Sequence, residues 1–144
     1  MKQKICICLI VLNLAFIWGN SALPGEVSDA LSNWLSRLLG GGQVPSEGTG
    51  LLRKLAHFSE FASLGFLLSW LARIRGERGL HLVSLAMLGG VLTACVDESI
   101  QLLTPERASS LVDVWIDTSG VVTGVAALLV IYKLKNMIFG GNKQ

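Results

Sequence analysis

The chain has 144 residues, of which 51% are hydrophobic and only 15% are charged. A soluble domain carries about 25% charged residues because its surface faces water, so this composition excludes a soluble globular protein and indicates an integral membrane protein. The net charge of +2, with no basic run that alternates with aromatic residues, excludes nucleic acid as a partner. The three cysteines lie in apolar runs without metal-ligand spacing, which excludes a disulfide-stapled secreted fold.

Four apolar stretches reach or approach the length of about 20 residues that a helix needs to cross the hydrocarbon core of a bilayer. They cover residues 5–23, 55–74, 80–103 and 111–134. The sequence therefore predicts an all-α fold, an integral membrane bundle of about four transmembrane helices plus a short interfacial helix. The first stretch follows Lys2 and Lys4 and ends in small residues, so residues 1–23 are either a retained N-terminal anchor, which we favour, or a cleaved signal peptide.

Residues 24–50 are predicted to form an external segment with two parts. Apolar residues recur at helical spacing from Val27 to Leu38 opposite polar ones, which predicts a short amphipathic helix in the plane of the interface. Residues 40–50 are rich in glycine and predict a flexible linker. The remaining divisions are a three-helix membrane domain over residues 51–135 and a tail over residues 136–144.

The distribution of lysine and arginine predicts the orientation, because cytoplasmic loops carry the excess of these residues. Eight of them fall on the side of the two termini and of the basic turn around Arg75, and four fall on the opposite side. We therefore expect a multi-pass protein of the cytoplasmic membrane with both termini in the cytoplasm. The linker around Gln43 and the turn at Arg107 are expected outside.

One group of polar residues in or beside the predicted spans lies within about 10 Å of the outer boundary, at 1.5 Å of rise per residue. Charged groups at membrane depth normally face the bundle interior or pair with each other, which predicts one outward-facing cluster. Its candidate members come from three helices and one turn: Lys54, His57 and Glu60; Asp97, Glu98 and Gln101; Arg107; Asp113 and Asp117.

Acidic residues outnumber basic ones in this predicted cluster. Protonation of some carboxylates, a bound cation or access of water would each resolve the imbalance. No cofactor is predicted, and a divalent cation is left open. Structural interpretations compete at several positions: Glu60 can pair with Lys54, Asp113 can cap the fourth helix, and Gly120 with Gly124 forms a GxxxG spacing typical of close helix packing.

The polar positions also carry a resemblance. Lys54-x-x-His57-Phe58, Asp97-Glu98-x-x-Gln101, Pro105-x-Arg107 and Asp113-x-x-x-Asp117-x-x-Gly120-x-x-x-Gly124 together resemble the VanZ family, named for a teicoplanin-resistance protein. The resemblance covers about residues 51–135. Two positions depart from it: Glu106 stands where the family often has glycine, and Asp117 where it often has asparagine. The resemblance implies a small multi-pass bacterial membrane protein, some members being linked to glycopeptide resistance or the cell envelope.

The leading hypothesis is a membrane protein whose outward-facing cluster binds a cell-envelope component such as a lipid-linked wall precursor. Lys54 and Arg107 would hold phosphate, and Asp97, Glu98, Gln101 and Asp113 would accept hydrogen bonds or share a divalent cation with it. Membrane lipids are the other expected partners, and the oligomeric state is left open. An intramembrane enzyme with His57 or a carboxylate as general base is an alternative, although the sequence has no recognised catalytic motif. A proton-linked carrier is a second alternative.

Overall fold

A computed structural model of the chain describes residues 1–38, 46–107 and 110–140. Over these ranges the chain forms five α-helices and no β-strand. The helices are α1 (Lys2–Ser21), α2 (Gly25–Leu38), α3 (Ser46–Ile74), α4 (Gly79–Leu103) and α5 (Leu111–Gly140). The predicted all-α fold with four long helices and one short amphipathic helix is confirmed.

Four helices in the described ranges are long and apolar enough to cross a membrane: α1, α4 and the segments Leu51–Ile74 and Leu111–Ile138. Large apolar side chains cover their outer surfaces, as at Leu12, Leu92 and Trp115, which are each more than half exposed. Such a surface would be costly in water and costs little against lipid tails, because its apolar atoms then stay out of water. The chain is therefore a membrane protein.

Two helix boundaries differ from the predicted ones by more than three residues. Helix α3 begins at Ser46, so the last five residues of the predicted linker are helical, while residues 39–45 lie outside the described residues. Glu47 lies in the first turn of α3, where a negative charge favours the helix, and the helix forms despite Gly48 and Gly50. Helix α5 continues to Gly140 because hydrophobicity marks where a span leaves the membrane, not where helical hydrogen bonding ends.

Helix α3 packs most extensively against α5, and glycines allow the two backbones to approach. A Cβ atom on Gly120 would lie 2.5 Å from the carbonyl oxygen of Phe58, and one on Gly124 would overlap the carbonyl oxygen of Ala62. Gly65 of α3 faces the backbone of Val121 in the same way. The small residues therefore lie at the contact itself, as in close helix packing within membranes.

The hydrophobic core draws on all four long helices. Its buried members include Ile17 of α1, Phe61 of α3, Ala94 of α4 and Val121 of α5. The turn between α4 and α5 closes one end of this core against the start of α2: the N–H of Gly25 donates to the carbonyl of Pro105. The polar residues are concentrated at this end of the bundle.

Candidate functional site

Three buried polar side chains from three helices meet beneath this end of the bundle. His57, Asp97 and Asp117 each lie six residues from the nearer end of the membrane-crossing segments Leu51–Ile74, Gly79–Leu103 and Leu111–Ile138, which is about 9 Å of helix. Because α3 and α5 enter the bundle where α4 leaves it, equal distances along the helices place the three residues at one depth. The structure thus brings together three of the residues that the sequence predicted to cluster.

The distances between these side chains are short. His57 Nδ1 lies 3.6 Å from Asp97 Oδ2 and 3.7 Å from Asp117 Oδ1. Both aspartates are fully buried, and His57 is 4% exposed. Within the described part of the chain, the two carboxylate oxygens of Asp117 have no hydrogen-bond partner, and the Nδ1 of His57 has none either. Two carboxylates and an imidazole therefore face each other, and the Asp117 carboxylate and the Nδ1 of His57 have no hydrogen-bond partner among the described residues.

Asp97 is held in place by two donors. The hydroxyl of Ser21 donates to Oδ1 at 2.6 Å, and the side-chain amide of Gln101, one turn along α4, donates to Oδ2 at 2.8 Å. All three side chains are buried. The Ser21 contact makes the end of α1 part of the cluster.

Glu60 and Glu98 extend the cluster in two directions. Glu60 accepts a hydrogen bond from the amide of Asn20 on α1 rather than pairing with Lys54. Glu98 accepts the backbone N–H of Ser110 at 3.0 Å, and the Ser110 hydroxyl in turn accepts the N–H of Val112. Ser110 is therefore the residue that caps α5.

Asp113 occupies the first turn of α5, where a negative charge is favoured by the helix dipole, and it is half-buried. The N-cap interpretation of Asp113 is wrong because Ser110 has that role.

The two basic residues proposed as phosphate ligands lie in different surroundings. Arg107 is buried, and its Nη2 and Nε donate to the carbonyls of Asn20 and Leu23, at 2.8 and 3.1 Å. Burial lowers the pKa of its guanidinium, which nevertheless remains charged, as arginine does in proteins. The guanidinium therefore places a positive charge at the C-terminal end of α1, where the helix dipole favours a cation. Lys54 is exposed.

A cavity of about 390 Å³ opens beside the cluster, between α1, α2 and the first half of α3. Most of its lining is apolar, as at Phe16, Leu23 and Leu52. Asn20, Arg53 and Glu60 are its amide and charged members, so Glu60 belongs to both the cavity and the cluster.

Sequence reasoning missed three site residues: Asn20, Ser21 and Arg53. Arg53 precedes Glu60 by seven residues, which is two helical turns, so the two residues share a face of the helix. That spacing indicates that Arg53 lies on the same side of the helix as the predicted cluster. Asn20 and Ser21 were assigned to a possible cleavage site, although they stand at the same end of the bundle as the other polar residues.

Five helices with four apolar spans and a buried polar cluster at one end define the class as a multi-pass α-helical membrane protein. The VanZ/LLP1 family model matches residues 5–134, and the chain belongs to this family. The match extends the predicted resemblance to α1, whose last residues contact the cluster. Neither curated proteins nor solved structures gave a match.

Proposed function

We propose that this VanZ-family protein binds a cell-envelope component at the polar end of its bundle. The proposed ligand is an amphiphile with a phosphate-bearing headgroup, such as a lipid-linked wall precursor. Its lipid chain would enter the cavity between α1, α2 and α3, and its headgroup would lie at the cavity's polar members. The outward orientation of this end is part of the proposal.

The cavity is the observation that carries the proposal. It combines a largely apolar wall with Arg53, Asn20 and Glu60. An apolar wall suits a lipid chain, and a few convergent polar groups suit recognition of a headgroup. A guanidinium recognises phosphate through paired hydrogen bonds, so Arg53 is the proposed phosphate ligand.

This assignment moves the phosphate contact of the initial hypothesis from Lys54 and Arg107 to Arg53. Arg107 already donates to two backbone carbonyls, and Lys54 is exposed and lies outside the cavity lining. Glu60 and Asn20 would accept and donate hydrogen bonds at the sugar or peptide part of the headgroup.

The test compares two neighbouring basic residues. Binding of a polyprenyl-diphosphate-linked wall precursor to the detergent-solubilised protein is measured by native mass spectrometry and by titration. Loss of one charge-assisted contact costs about 1.5–3 kcal/mol, so Arg53→Ala should weaken binding by about tenfold or more. Lys54→Ala is the matched control and should change binding by less than about twofold.

Phosphatidylglycerol serves as the competing ligand, since it is anionic but lacks the diphosphate and the wall headgroup. Equal affinity for both lipids would contradict a precursor site. Equal losses in the two variants would contradict the assignment to Arg53, and no saturable binding by the unmodified protein would overturn the proposal.

A further inference from the structure

Two carboxylates and one imidazole share the buried centre formed by His57, Asp97 and Asp117. Both aspartates are fully buried, about 9 Å from the ends of their helices. A buried carboxylate needs a compensating charge or a proton, because transfer from water into an apolar interior is costly. The nearby cation Arg107 donates to the backbone carbonyls of Asn20 and Leu23 and forms no ion pair with either aspartate within the described residues. A divalent cation beside a neutral imidazole would balance the two carboxylates with no net charge.

The donor atoms have the spacing of metal ligands. One donor atom from each of the three residues lies within 4.8 Å of the other two. The imidazole Nδ1 is 3.6 and 3.7 Å from the carboxylate oxygens. Ligands around a tetrahedral zinc ion with bonds of about 2.1 Å are separated by about 3.4 Å. Small side-chain adjustments would therefore bring all three donors to one ion.

The hydrogen bonds of the site leave the proposed ligand atoms available. Among the described residues, Asp117 has no hydrogen-bond partner for either oxygen, and Nδ1 of His57 has none either. Fully buried and aimed at His57, the Asp117 carboxylate lacks the partners that buried polar groups normally have. Asp97 is instead oriented by Ser21 and Gln101, which is the arrangement that positions metal ligands in known sites.

From these observations we propose that His57, Asp97 and Asp117 form a binding site for a divalent transition-metal ion. One imidazole and two carboxylates suit Zn²⁺ or Mn²⁺; calcium and magnesium sites use oxygen ligands, and copper(I) sites use sulfur ligands. Three protein ligands leave coordination positions open for water or for a ligand oxygen. The proposed metal ligands differ from Arg53, the proposed phosphate ligand. An experiment can therefore disprove one proposal without affecting the other.

The experiment uses the full chain in detergent, purified with a tag that contains no histidine and stripped with a chelator. Zn²⁺ and Mn²⁺ are added separately, and bound metal is measured by equilibrium dialysis with elemental analysis. We expect one equivalent per chain and a higher unfolding temperature with metal, because an ion that binds only the folded state stabilises it. Failure to bind either ion would overturn the proposal in favour of a proton shared by the cluster.

Variants identify the ligands. Asp117→Asn keeps the shape of the side chain and removes an unpaired buried charge, so it should fold and should lose at least about tenfold in metal affinity. His57→Gln should have the same effect. His81→Ala is the matched control, because His81 and Glu77 form an exposed histidine–carboxylate pair, 3.4 Å apart, that could bind metal adventitiously. Metal binding that survives Asp117→Asn, or that disappears in His81→Ala, would contradict the assignment.

If His57→Gln does not fold, a spectroscopic measurement on the unmodified protein tests whether His57 coordinates the metal. Mn²⁺ bound to the unmodified protein should show nitrogen hyperfine coupling from a directly coordinated imidazole in pulsed electron paramagnetic resonance. The same coupling should persist in His81→Ala. A bound Mn²⁺ without nitrogen coupling would exclude His57 as a ligand and overturn the proposed site.

Discussion

At the scale of single residues, the turn between α4 and α5 contains a backbone conformation that is unfavourable for a non-glycine residue. Glu106 has a φ of 59°, and it is the only non-glycine residue in the described ranges with a positive φ. It immediately precedes Arg107, whose guanidinium holds the end of α1. Glycine would adopt the left-handed conformation of Glu106 without a steric cost.

This conformation leads to a stability prediction for Glu106→Gly. A left-handed conformation costs an L-residue about 1–2 kcal/mol, whereas glycine adds about 0.5–1 kcal/mol of backbone entropy to the unfolded state. The substitution should therefore leave the free energy of unfolding unchanged or raise it by up to about 1 kcal/mol. Unfolding of the detergent-solubilised protein, followed by circular dichroism against temperature, measures the effect.

Glu106→Ala is the control, since it removes the same side chain and keeps the unfavourable conformation. It should be less stable than Glu106→Gly. A glycine variant clearly less stable than the alanine variant would show that the turn does not require this conformation.

At the scale of elements, the contact between α3 and α5 depends on small residues. Helix association within a lipid environment gains little from apolar burial, so close packing has to supply the attraction. Gly120 and Gly124 from α5 and Gly65 from α3 each meet the partner backbone directly. This contact also sets the distance between His57 and Asp117, because Asp117 lies one turn before Gly120 and His57 directly precedes Phe58, whose carbonyl Gly120 faces.

Gly120→Leu should separate α3 from α5. A side chain at this position meets the Phe58 carbonyl and the Phe61 side chain, so overpacking should cost at least about 1–3 kcal/mol in the free energy of unfolding. Val122→Leu is the matched control, because Val122 lies on the same helix and is half exposed on its outer surface. Equal thermal stability of the two variants would show that the α3–α5 contact tolerates a large residue at position 120.

At the scale of the whole molecule, α1 is an integral part of the bundle. It packs against α3 and α4, and its buried residues include Cys6, Ile10 and Ile17. Its last turn supplies Ser21 to Asp97 and Asn20 to Glu60. The anchor and the three-helix domain, which the sequence analysis treated as separate divisions, therefore share one core and one polar cluster.

The orientation of the molecule remains a prediction, and it decides which compartment the cluster faces. The excess of lysine and arginine is expected on the cytoplasmic side. A cysteine that replaces Gln43 should therefore react with a membrane-impermeant thiol reagent added to intact cells, and a cysteine that replaces Arg75 should not. The background is a variant without the three native cysteines. Labelling of Arg75→Cys but not Gln43→Cys would reverse the orientation, and the cluster would then face the cytoplasm.

The sequence by itself determined the helices and the common depth of their polar residues. Hydropathy is a property of each segment, so length and composition were enough to predict four spans. Antiparallel neighbours joined by short turns then place His57, Asp97 and Asp117 at one end, because distance along a helix is fixed at about 1.5 Å per residue. The family resemblance was carried by these same positions, and the family match confirms it.

Only the tertiary structure decided which side of each helix faces which neighbour. Successive residues are turned by about 100° around a helix, so Arg53 lines the cavity while Lys54 next to it is exposed. Asp113 and Asp117 share a face of α5, but Asp113 lies in the first turn and is half-buried, whereas Asp117 lies one turn deeper and reaches His57. The role of Arg107 at the end of α1 depends on contacts with residues more than 80 positions away in the sequence. Such contacts are fixed by packing, and no local pattern encodes them.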